Sequence, residues 1–232
     1  MIIEDKYLRN HYSIFKSRRH AGFLLGPFIS LEDFDVLFMV PAGGVPVGLG
    51  LLEFPLIPRT AQYDLLIVRK IQIPNNSEAG MGAVTPDGQI FLNERIVDVL
   101  ALHSFQLDQQ IERARQQIEK RRREFQVGAL SQPQVYGRNV LIVDDGIASG
   151  YSIMAGAKWL RRLGAEKIIV AVPTAPESSL ARLENSVDKI ICLNIRTHYP
   201  FAVADAYKDW YDLNFRETKQ YLKEIELLKV IT

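Results

Sequence analysis

The chain has 232 residues, with 28 lysines and arginines against 27 aspartates and glutamates, and its formal net charge is +1. This balance argues against a protein that binds nucleic acid or a membrane surface through its overall charge. Cys192 is the single cysteine, which excludes a disulfide within the chain and predicts a reducing, cytoplasmic location. No apolar run approaches the roughly 20 residues of a membrane span. The length suits one α/β domain with a substantial core.

Five apolar runs predict buried strands of a parallel sheet, because amphipathic segments separate most of them. These runs are residues 36–40, 65–68, 140–143, 167–172 and 189–193. Ligands of such sheets bind beyond the carboxyl ends of the strands. The segments that follow the strands are therefore the first candidates for a functional site.

The first predicted strand is followed by the loop Pro41-Ala42-Gly43-Gly44 and by a predicted helix at residues 45–52. Paired glycines let the backbone pass close to a ligand, and the first N–H groups of a helix can bind an anion. Arg69 and Lys70 follow the second strand, where two cations are costly unless they meet an anion. A plain turn and a solvated charge pair are the respective alternatives.

Residues 74–92 contain Pro86-Asp87-Gly88 between two short apolar runs, a pattern that predicts a hairpin turn. An edge hairpin without a catalytic role is the alternative. Residues 106–125 predict a helix rich in charge, and residues 214–230 predict a second one. In the first helix glutamates are interspersed among the basic residues, so we expect a solvated helix with local ion pairs rather than a nucleic-acid patch.

The third strand carries the most informative motif, because it ends in Asp144-Asp145 and a turn of glycine and serine residues. Two carboxylates can accept hydrogen bonds from the vicinal hydroxyls of a sugar. The turn leads into a helix whose first N–H groups are free to hold a phosphate. An ordinary helix cap needs one acid, not two. This segment therefore predicts a ribose 5-phosphate site.

The stretch from Asn139 to Ser152 closely resembles the phosphoribosyl-pyrophosphate (PRPP) signature of the type I phosphoribosyltransferases, and a weaker resemblance extends over residues 36–193. It implies that Asp144 and Asp145 bind the ribose hydroxyls and act in catalysis with Lys70. It implies that the 5′-phosphate is bound by Gly146, Ile147, Ala148, Ser149, Gly150, Tyr151 and Ser152. It assigns pyrophosphate to Ala42, Gly43, Gly44, Arg69 and Lys70.

The resemblance also implies a fold, namely a doubly wound, mostly parallel five-stranded sheet in the order 2-1-3-4-5. Residues 1–232 would form a single domain with its core at 36–193 and a flexible arm at 74–92 that closes over PRPP. A small hood from residues 173–212 and the N-terminal segment would cover the base. Phe201 and Tyr207 are the candidates for base binding, although these aromatic rings could equally be core. The segment Ser17-Arg18-Arg19-His20-Ala21-Gly22 resembles an arginine-rich opening of one bacterial branch of the family.

The implied reaction, in nucleotide metabolism, transfers a 5-phosphoribosyl group from PRPP to an unidentified nitrogenous base or amine and releases pyrophosphate. Mg²⁺ would bind mainly through PRPP, with Asp144, Asp145 and Asp209 as candidate protein ligands. A homodimer is implied as well. The alternative is a PRPP-sensing regulator with little or no turnover. Purine enzymes of the family that use hypoxanthine or guanine usually carry an aspartate at the position of Ala148, so efficient use of these bases is not expected.

Overall fold

A computed structural model describes residues 1–58, 62–74, 76–125 and 135–230, and at 76–79 and 229–230 it describes the backbone alone. The strands in these ranges are Ile2–Ile3 (β1), Val36–Met39 (β2), Gln62–Leu65 (β3), Arg69–Ile73 (β4), Asn76–Val84 (β5), Ile90–Leu92 (β6), Asn139–Val143 (β7), Lys167–Pro176 (β8) and Lys189–Arg196 (β9). The α-helices are Arg18–Ile29 (α1), Gly44–Leu52 (α2), Glu94–Leu100 (α3), Ser104–Phe125 (α4), Tyr151–Arg162 (α5), Glu177–Leu183 (α6) and Phe215–Val230 (α7).

The main sheet is parallel and, within the described ranges, has six strands in the order β1-β9-β8-β7-β2-β3. The predicted fold class and the predicted order of five strands are confirmed. The predicted number of strands is wrong by one, because β1 adds Ile2 and Ile3 beside Ile190 and Ile191 at one edge. A strand of two residues is too short to show a periodic pattern.

The second strand lies earlier than predicted, at Gln62–Leu65 instead of 65–68. Leu66 and Ile67 are buried, yet they form the connection between β3 and β4. The Leu66 N–H still donates to the Met39 carbonyl of β2 at 2.9 Å, so the pairing with β2 continues one residue past the end of β3. As a consequence Arg69 and Lys70 do not follow a strand of the main sheet but begin the small antiparallel sheet.

This small sheet has the order β4-β5-β6 and contains the predicted hairpin. Val84 pairs with Ile90 across the turn, and Gly88 takes a φ of +82°, which a glycine adopts without strain. Asn75 of the predicted arm lies outside the described residues. Helix α4 covers this sheet through Ile111, Ala114 and Ile118, as the amphipathic pattern of the helix requires.

Alternating side chains of the main sheet feed two hydrophobic cores on its opposite faces. Phe38, Ile142 and Val170 point to the layer that contains α5 and α6. Leu37 and Leu141 point to the layer that contains α1, α2 and α7. Helices thus cover both faces, which is the doubly wound arrangement. Cys192 is fully buried, as predicted.

Residues 13–15 of the N-terminal segment pair with residues 205–208 near the carboxyl edge of the sheet. The Ser13 N–H donates to the Asp205 carbonyl at 2.7 Å, and the Phe15 N–H donates to the Ala206 carbonyl at 2.9 Å. The Lys208 N–H donates back to the Phe15 carbonyl at 2.8 Å. Whether this paired unit acts as the hood stays a prediction. In the ranges that the structure describes, no helix has the length and apolar character needed to cross a lipid bilayer.

Candidate functional site

The glycine loop and the acid pair lie against each other, because β2 and β7 are neighbouring parallel strands with Met39 paired to Val143. The Gly43 backbone approaches Asp145 so closely that a Cβ atom on Gly43 would lie 1.9 Å from Oδ2 of the carboxylate. A Cβ atom on Gly44 would lie 2.6 Å from the Val143 carbonyl oxygen. Only glycine fits at these two positions, so the paired glycines predicted from the sequence are needed to bring the two loops together.

Asp144 and Asp145 form a largely buried carboxylate pair. Burial raises the pKa of Asp144 well above its usual value, and the neighbouring charge of Asp145 raises it further. Burial also raises the pKa of Asp145, and the Arg18 guanidinium opposes that rise. Within the pair the Asp145 N–H donates to Oδ1 of Asp144 at 2.8 Å. Two buried negative charges side by side favour a ligand that donates hydrogen bonds or carries positive charge.

Arg18 is the strongest partner of this pair and had no predicted role. Its Nε donates to Oδ2 of Asp145 at 2.7 Å, and its Nη1 donates to the Tyr211 carbonyl at 3.0 Å. The guanidinium also stacks on Trp210, 3.8 Å from the ring centroid, and Arg18 is only 7% exposed. Arg18 lies in register with the buried stripe of α1, three residues before Ala21. The helical spacing of Arg18 from the apolar residues of α1 could have identified it as a buried cation.

The turn after the acid pair leads directly into α5. Gly150 takes a φ of +82° immediately before the helix, and no side chain caps the helix N-terminus. The first described backbone bond of the helix runs from the Met154 N–H to the Gly150 carbonyl at 2.9 Å. The preceding N–H groups therefore suit an anion. Ile147 is an exception, since its N–H already donates to the Thr174 carbonyl at 3.0 Å.

Arg69 and Arg121 bring two guanidinium groups close to each other, and Arg121 lies near Asp144. Arg121 Nη1 donates to the Pro41 carbonyl of the glycine loop at 2.6 Å. Burial lowers the pKa of Arg121, and the charges of Glu124 and Asp144 partly offset that effect. Burial and the nearby Arg121 lower the pKa of Arg69 to about 10. Nε of Arg69 is buried without a hydrogen-bond partner in the described part of the chain. Such a pair of partly buried cations fits an anion.

The helix that carries Arg121 was predicted to be a solvated helix with local ion pairs, and Arg121 departs from that prediction. Arg121 continues the buried stripe of Ala114 and Ile118 at helical spacing, so it faces the protein. Elsewhere the helix has the local ion pairs that were predicted. Arg122 pairs with Glu119 at 3.0 Å, and Lys120 pairs with Glu124 at 3.9 Å.

The structure separates the two cations predicted to act together. Arg69 and Lys70 are consecutive residues of β4, so their side chains point to opposite faces of the small sheet. The Lys70 side chain lies over Gly80, where a Cβ atom would come within 2.6 Å of the lysine Cδ. Arg69 is therefore the one of the two that lies beside Arg121. The pyrophosphate and catalytic roles of Lys70 stay predictions.

The two aromatic residues predicted to bind a base differ in their surroundings. Tyr207 is buried with its ring between Phe15 and Trp210, and its hydroxyl donates to the Asp145 carbonyl. This ring supports the acid-pair loop and has little open face. Phe201 is half-buried. Both base-binding assignments stay predictions.

Asp209 also stays a prediction as a metal ligand. It is exposed, and its backbone N–H donates to the Lys16 carbonyl at 3.1 Å. In the part of the chain that the structure describes, no three His, Cys, Asp or Glu side chains cluster closely enough to hold a metal ion. Asp144 and Asp145 are the adjacent carboxylates at this edge.

Comparisons with known proteins agree with this arrangement. Residues 91–206 match the family model described as a phosphoribosyl transferase domain, which includes the acid pair and the turn after it. A protein of Mycobacterium tuberculosis strain H37Rv, named provisionally as a phosphoribosyl transferase, is 32% identical over 192 residues. That alignment covers 81% of this chain and 41% of the mycobacterial protein, so the chain spans less than half the length of this relative.

Two further matches extend the comparison. The ribose-phosphate pyrophosphokinase of Pyrococcus furiosus is 42% identical over 62 residues, which are 26% of this chain and 22% of that protein. The crystal structure of the protein TT1426 from Thermus thermophilus superposes with a TM-score of 0.71 at 28% identity. That superposition covers 91% of this chain and 98% of the other.

Proposed function

This chain belongs to the phosphoribosyl transferase family, and we propose that it transfers the 5-phosphoribosyl group of PRPP to a nitrogenous base or amine and releases pyrophosphate. The observation that carries this proposal is the contact between Gly43 and the Asp145 carboxylate. It supports a site in which a ribose-binding acid pair and a pyrophosphate-binding loop adjoin. The uncapped N-terminus of α5 supplies the third element on the same edge of the sheet.

In this proposal Asp144 and Asp145 accept hydrogen bonds from the ribose 2′- and 3′-hydroxyls, which fixes the orientation of the sugar. The backbone of residues 146–152 binds the 5′-phosphate. Pyrophosphate lies against Ala42, Gly43 and Gly44, with Arg69 and Arg121 as its cationic partners, and Lys70 would contact it from β4. The Gly44 N–H already donates to the Val40 carbonyl at 2.8 Å, so Gly44 would contribute through its small size.

The acid pair also fits a magnesium ion. Mg²⁺ takes oxygen ligands and is commonly held by one or two carboxylates together with substrate phosphates. The raised pKa values of Asp144 and Asp145 reflect two buried negative charges that a cation would stabilise. When bound, Mg²⁺ would neutralise charge on the leaving pyrophosphate.

In the proposed reaction the bond between ribose C1 and the pyrophosphate oxygen breaks, and its electron pair leaves with pyrophosphate. The lone pair of the acceptor nitrogen forms the new C1–N bond, and the nitrogen releases its proton to water or to pyrophosphate. The protein contributes by holding the reactants in line and by placing Asp144 and Asp145 near the positive charge that develops on the ribose.

The experiment that tests the binding step is calorimetry of PRPP with the wild-type protein and with the double variant Asp144→Asn, Asp145→Asn. Charged hydrogen bonds to the diol are worth roughly 1.5–3 kcal/mol each, so we expect at least a tenfold loss of affinity. Unchanged affinity in a folded double variant would refute the assignment. A screen of bases and amines with PRPP and Mg²⁺, read as pyrophosphate release, then tests the transfer step.

A regulator that binds PRPP without turnover is the second candidate, because an enzyme and a regulator would share every binding contact described above. Tight PRPP binding without pyrophosphate release with any acceptor would favour the regulator, and release with one acceptor would exclude it.

A further inference from the structure

A cavity of about 400 Å³ lies between the end of the arm and the outer face of α5, apart from the acid pair and the glycine loop. This volume is in the range of small-molecule sites. Its walls come from β6, α3, α5 and α6, and they are formed by Phe91, Leu92, Asn93, Glu94, Arg95, Tyr151, Met154, Ala155, Lys158 and Arg182.

The lining of this cavity is cationic. Arg95, Lys158 and Arg182 face it against the single acid Glu94. Among the residues that the structure describes, no carboxylate pairs with any of these three cations, and the nearest polar partner of Arg182 is the Ser179 hydroxyl at 2.9 Å. Three cations around one concavity favour an anionic ligand.

The same lining offers aromatic surface. The ammonium of Lys158 lies 5.4 Å from the ring centroid of Phe91, and the guanidinium of Arg182 lies 5.8 Å from that of Tyr151. Each cation therefore stands beside a ring against which a flat heterocycle could pack. Met154 and Ala155 complete an apolar floor.

We propose that this cavity is a second small-molecule site and that it binds a ligand with both an aromatic ring and a phosphate, the chemistry of nucleoside phosphates. Lys158, Arg182 and Arg95 bind the phosphate, and Phe91 and Tyr151 contact the ring. The negative charge of Glu94 repels an anion, so ligands with many negative charges are disfavoured.

A ligand in this cavity should change the affinity of the proposed PRPP site, an expectation that rests on the proposed function. Tyr151 is shared, since its backbone belongs to the 5′-phosphate turn while its ring lines the cavity. Its hydroxyl accepts a hydrogen bond from the side-chain amide of Asn93, the residue that follows the arm. An occupant would hold the arm against α5, so the affinities for the two ligands should depend on each other by the same factor.

Adenosine 3′-monophosphate is the probe that separates the two sites. It has an aromatic base and a phosphate, but it lacks both the 5′-phosphate and the free diol that the acid pair would read. We expect calorimetry of the full chain to give a dissociation constant below about 1 mM. The double variant Lys158→Ala, Arg182→Ala should bind at least tenfold more weakly. Rising ribose 5-phosphate should change the affinity for the probe only up to a plateau, whereas displacement from a shared site would weaken it without limit.

Two further variants distinguish a lost binding contact from a folding defect. Glu94→Gln removes the opposing charge and should bind the probe more tightly, which a damaged protein would not do. The control Arg216→Ala, Lys223→Ala removes one exposed arginine and one exposed lysine from α7 and should leave the affinity unchanged. No binding to wild type, equal binding to the Lys158 and Arg182 variant, or displacement by ribose 5-phosphate would overturn the proposal. The affinity for ribose 5-phosphate, measured separately, tests the proposed function.

Discussion

Arg18 keeps Asp145 competent as a hydrogen-bond acceptor. Burial favours the protonated carboxyl, and a protonated oxygen cannot accept as a charged partner from a sugar hydroxyl. The guanidinium counteracts this, because it is only 7% exposed and lies 2.7 Å from the carboxylate. Trp210 and the Tyr211 carbonyl hold the guanidinium in place. Arg18, in the first helix, thereby limits the rise in the pKa of Asp145 that burial causes.

This contact predicts a pH effect for Arg18→Met. Removing the guanidinium removes the interaction that lowers the pKa of Asp145, so the pKa rises further and the carboxylate is protonated at a higher pH. Affinity for ribose 5-phosphate should therefore be lost at a higher pH in the variant than in wild type. Calorimetric titrations from about pH 5 to pH 8 measure the two midpoints.

Arg19→Met is the matched control for that experiment. Arg19 is the next residue of the same helix, is 43% exposed and pairs with Glu53 and Glu224 instead of the acid pair. It should leave the pH midpoint unchanged. The phosphate of the ligand also titrates, but its effect is the same in all three proteins, so a difference between midpoints comes from the protein. Identical midpoints for Arg18→Met and wild type would show that the guanidinium does not control Asp145.

Asp144 should destabilise the ligand-free protein at neutral pH. Its folded-state pKa lies well above the ordinary value of 3.8, so the folded state binds more protons and stability falls as the pH rises toward that pKa. Asp144→Asn carries no charge and should raise the free energy of unfolding at pH 7 by on the order of 1 kcal/mol. The gain should vanish below about pH 3.8, as measured by thermal unfolding without phosphate or metal.

Asp188→Asn provides the opposite case. Asp188 is 42% exposed, and its carboxylate accepts from Arg161 and, at 2.7 Å, from the Ile168 N–H. Neutralising it should give no gain at pH 7. If Asp144→Asn were no more stable than wild type while Asp188→Asn behaved as stated, the charge of Asp144 would not destabilise the folded state.

At the scale of elements, α4 connects the arm to the glycine loop. Its buried stripe packs on β4 and β5, and Arg121 extends from that stripe to the Pro41 carbonyl. Arg69 lies on β4 beneath the same helix. The two guanidinium groups therefore depend on how the helix and the small sheet pack together.

This packing predicts a selective loss of pyrophosphate binding. Arg69→Ala and Arg121→Ala should each weaken pyrophosphate binding by roughly tenfold or more, since each removes a charged hydrogen-bond donor. Ribose 5-phosphate affinity should change little. Lys120→Ala on the exposed side of α4, where the lysine is 75% exposed, should change neither. Equal losses for both ligands in calorimetry would indicate a general electrostatic effect or misfolding.

Periodicity predicted the elements that bury a regular face. The five predicted strands and the three predicted helices correspond to elements of the structure, because hydrophobic patterns report directly on burial. The same signal misplaced the second strand, since Leu66 and Ile67 are buried outside any strand. It also missed β1, which is held by its pairing to β9 and not by a pattern of its own.

The site was predictable where one segment contains the chemistry and not where distant segments meet. Asp144, Asp145 and the turn after them are contiguous in the sequence, so their chemistry could be inferred from residue types alone. Arg18 contacts Asp145 across 127 residues of the sequence. Arg121 contacts the Pro41 carbonyl of the neighbouring glycine loop across 80 residues. Both arginines lie in register with apolar stripes, and that position was the available signal.

At the scale of the whole molecule, the first and last described elements both pack against the main domain. β1 is an edge strand of the main sheet, and α7 packs on the helical layer of α2. We propose on this basis a single domain over residues 1–232 with its core at 36–193, an arm at 74–92 and a hood from 173–212 and the N-terminal segment. The homodimer and the cytoplasmic location stay predictions that no contact within one chain addresses.

One position of the phosphate turn limits which acceptors the protein can use efficiently. Ala148 has no titratable group, and its carbonyl is occupied by the Ser179 hydroxyl. The acid–base help that an aspartate gives to hypoxanthine or guanine is typically worth about 10²–10⁴-fold. We therefore expect turnover of these bases far below that of another acceptor found in the same screen. A kcat/KM for hypoxanthine near ~10⁵ M⁻¹s⁻¹ would contradict this, because that value lies well inside the usual enzyme range.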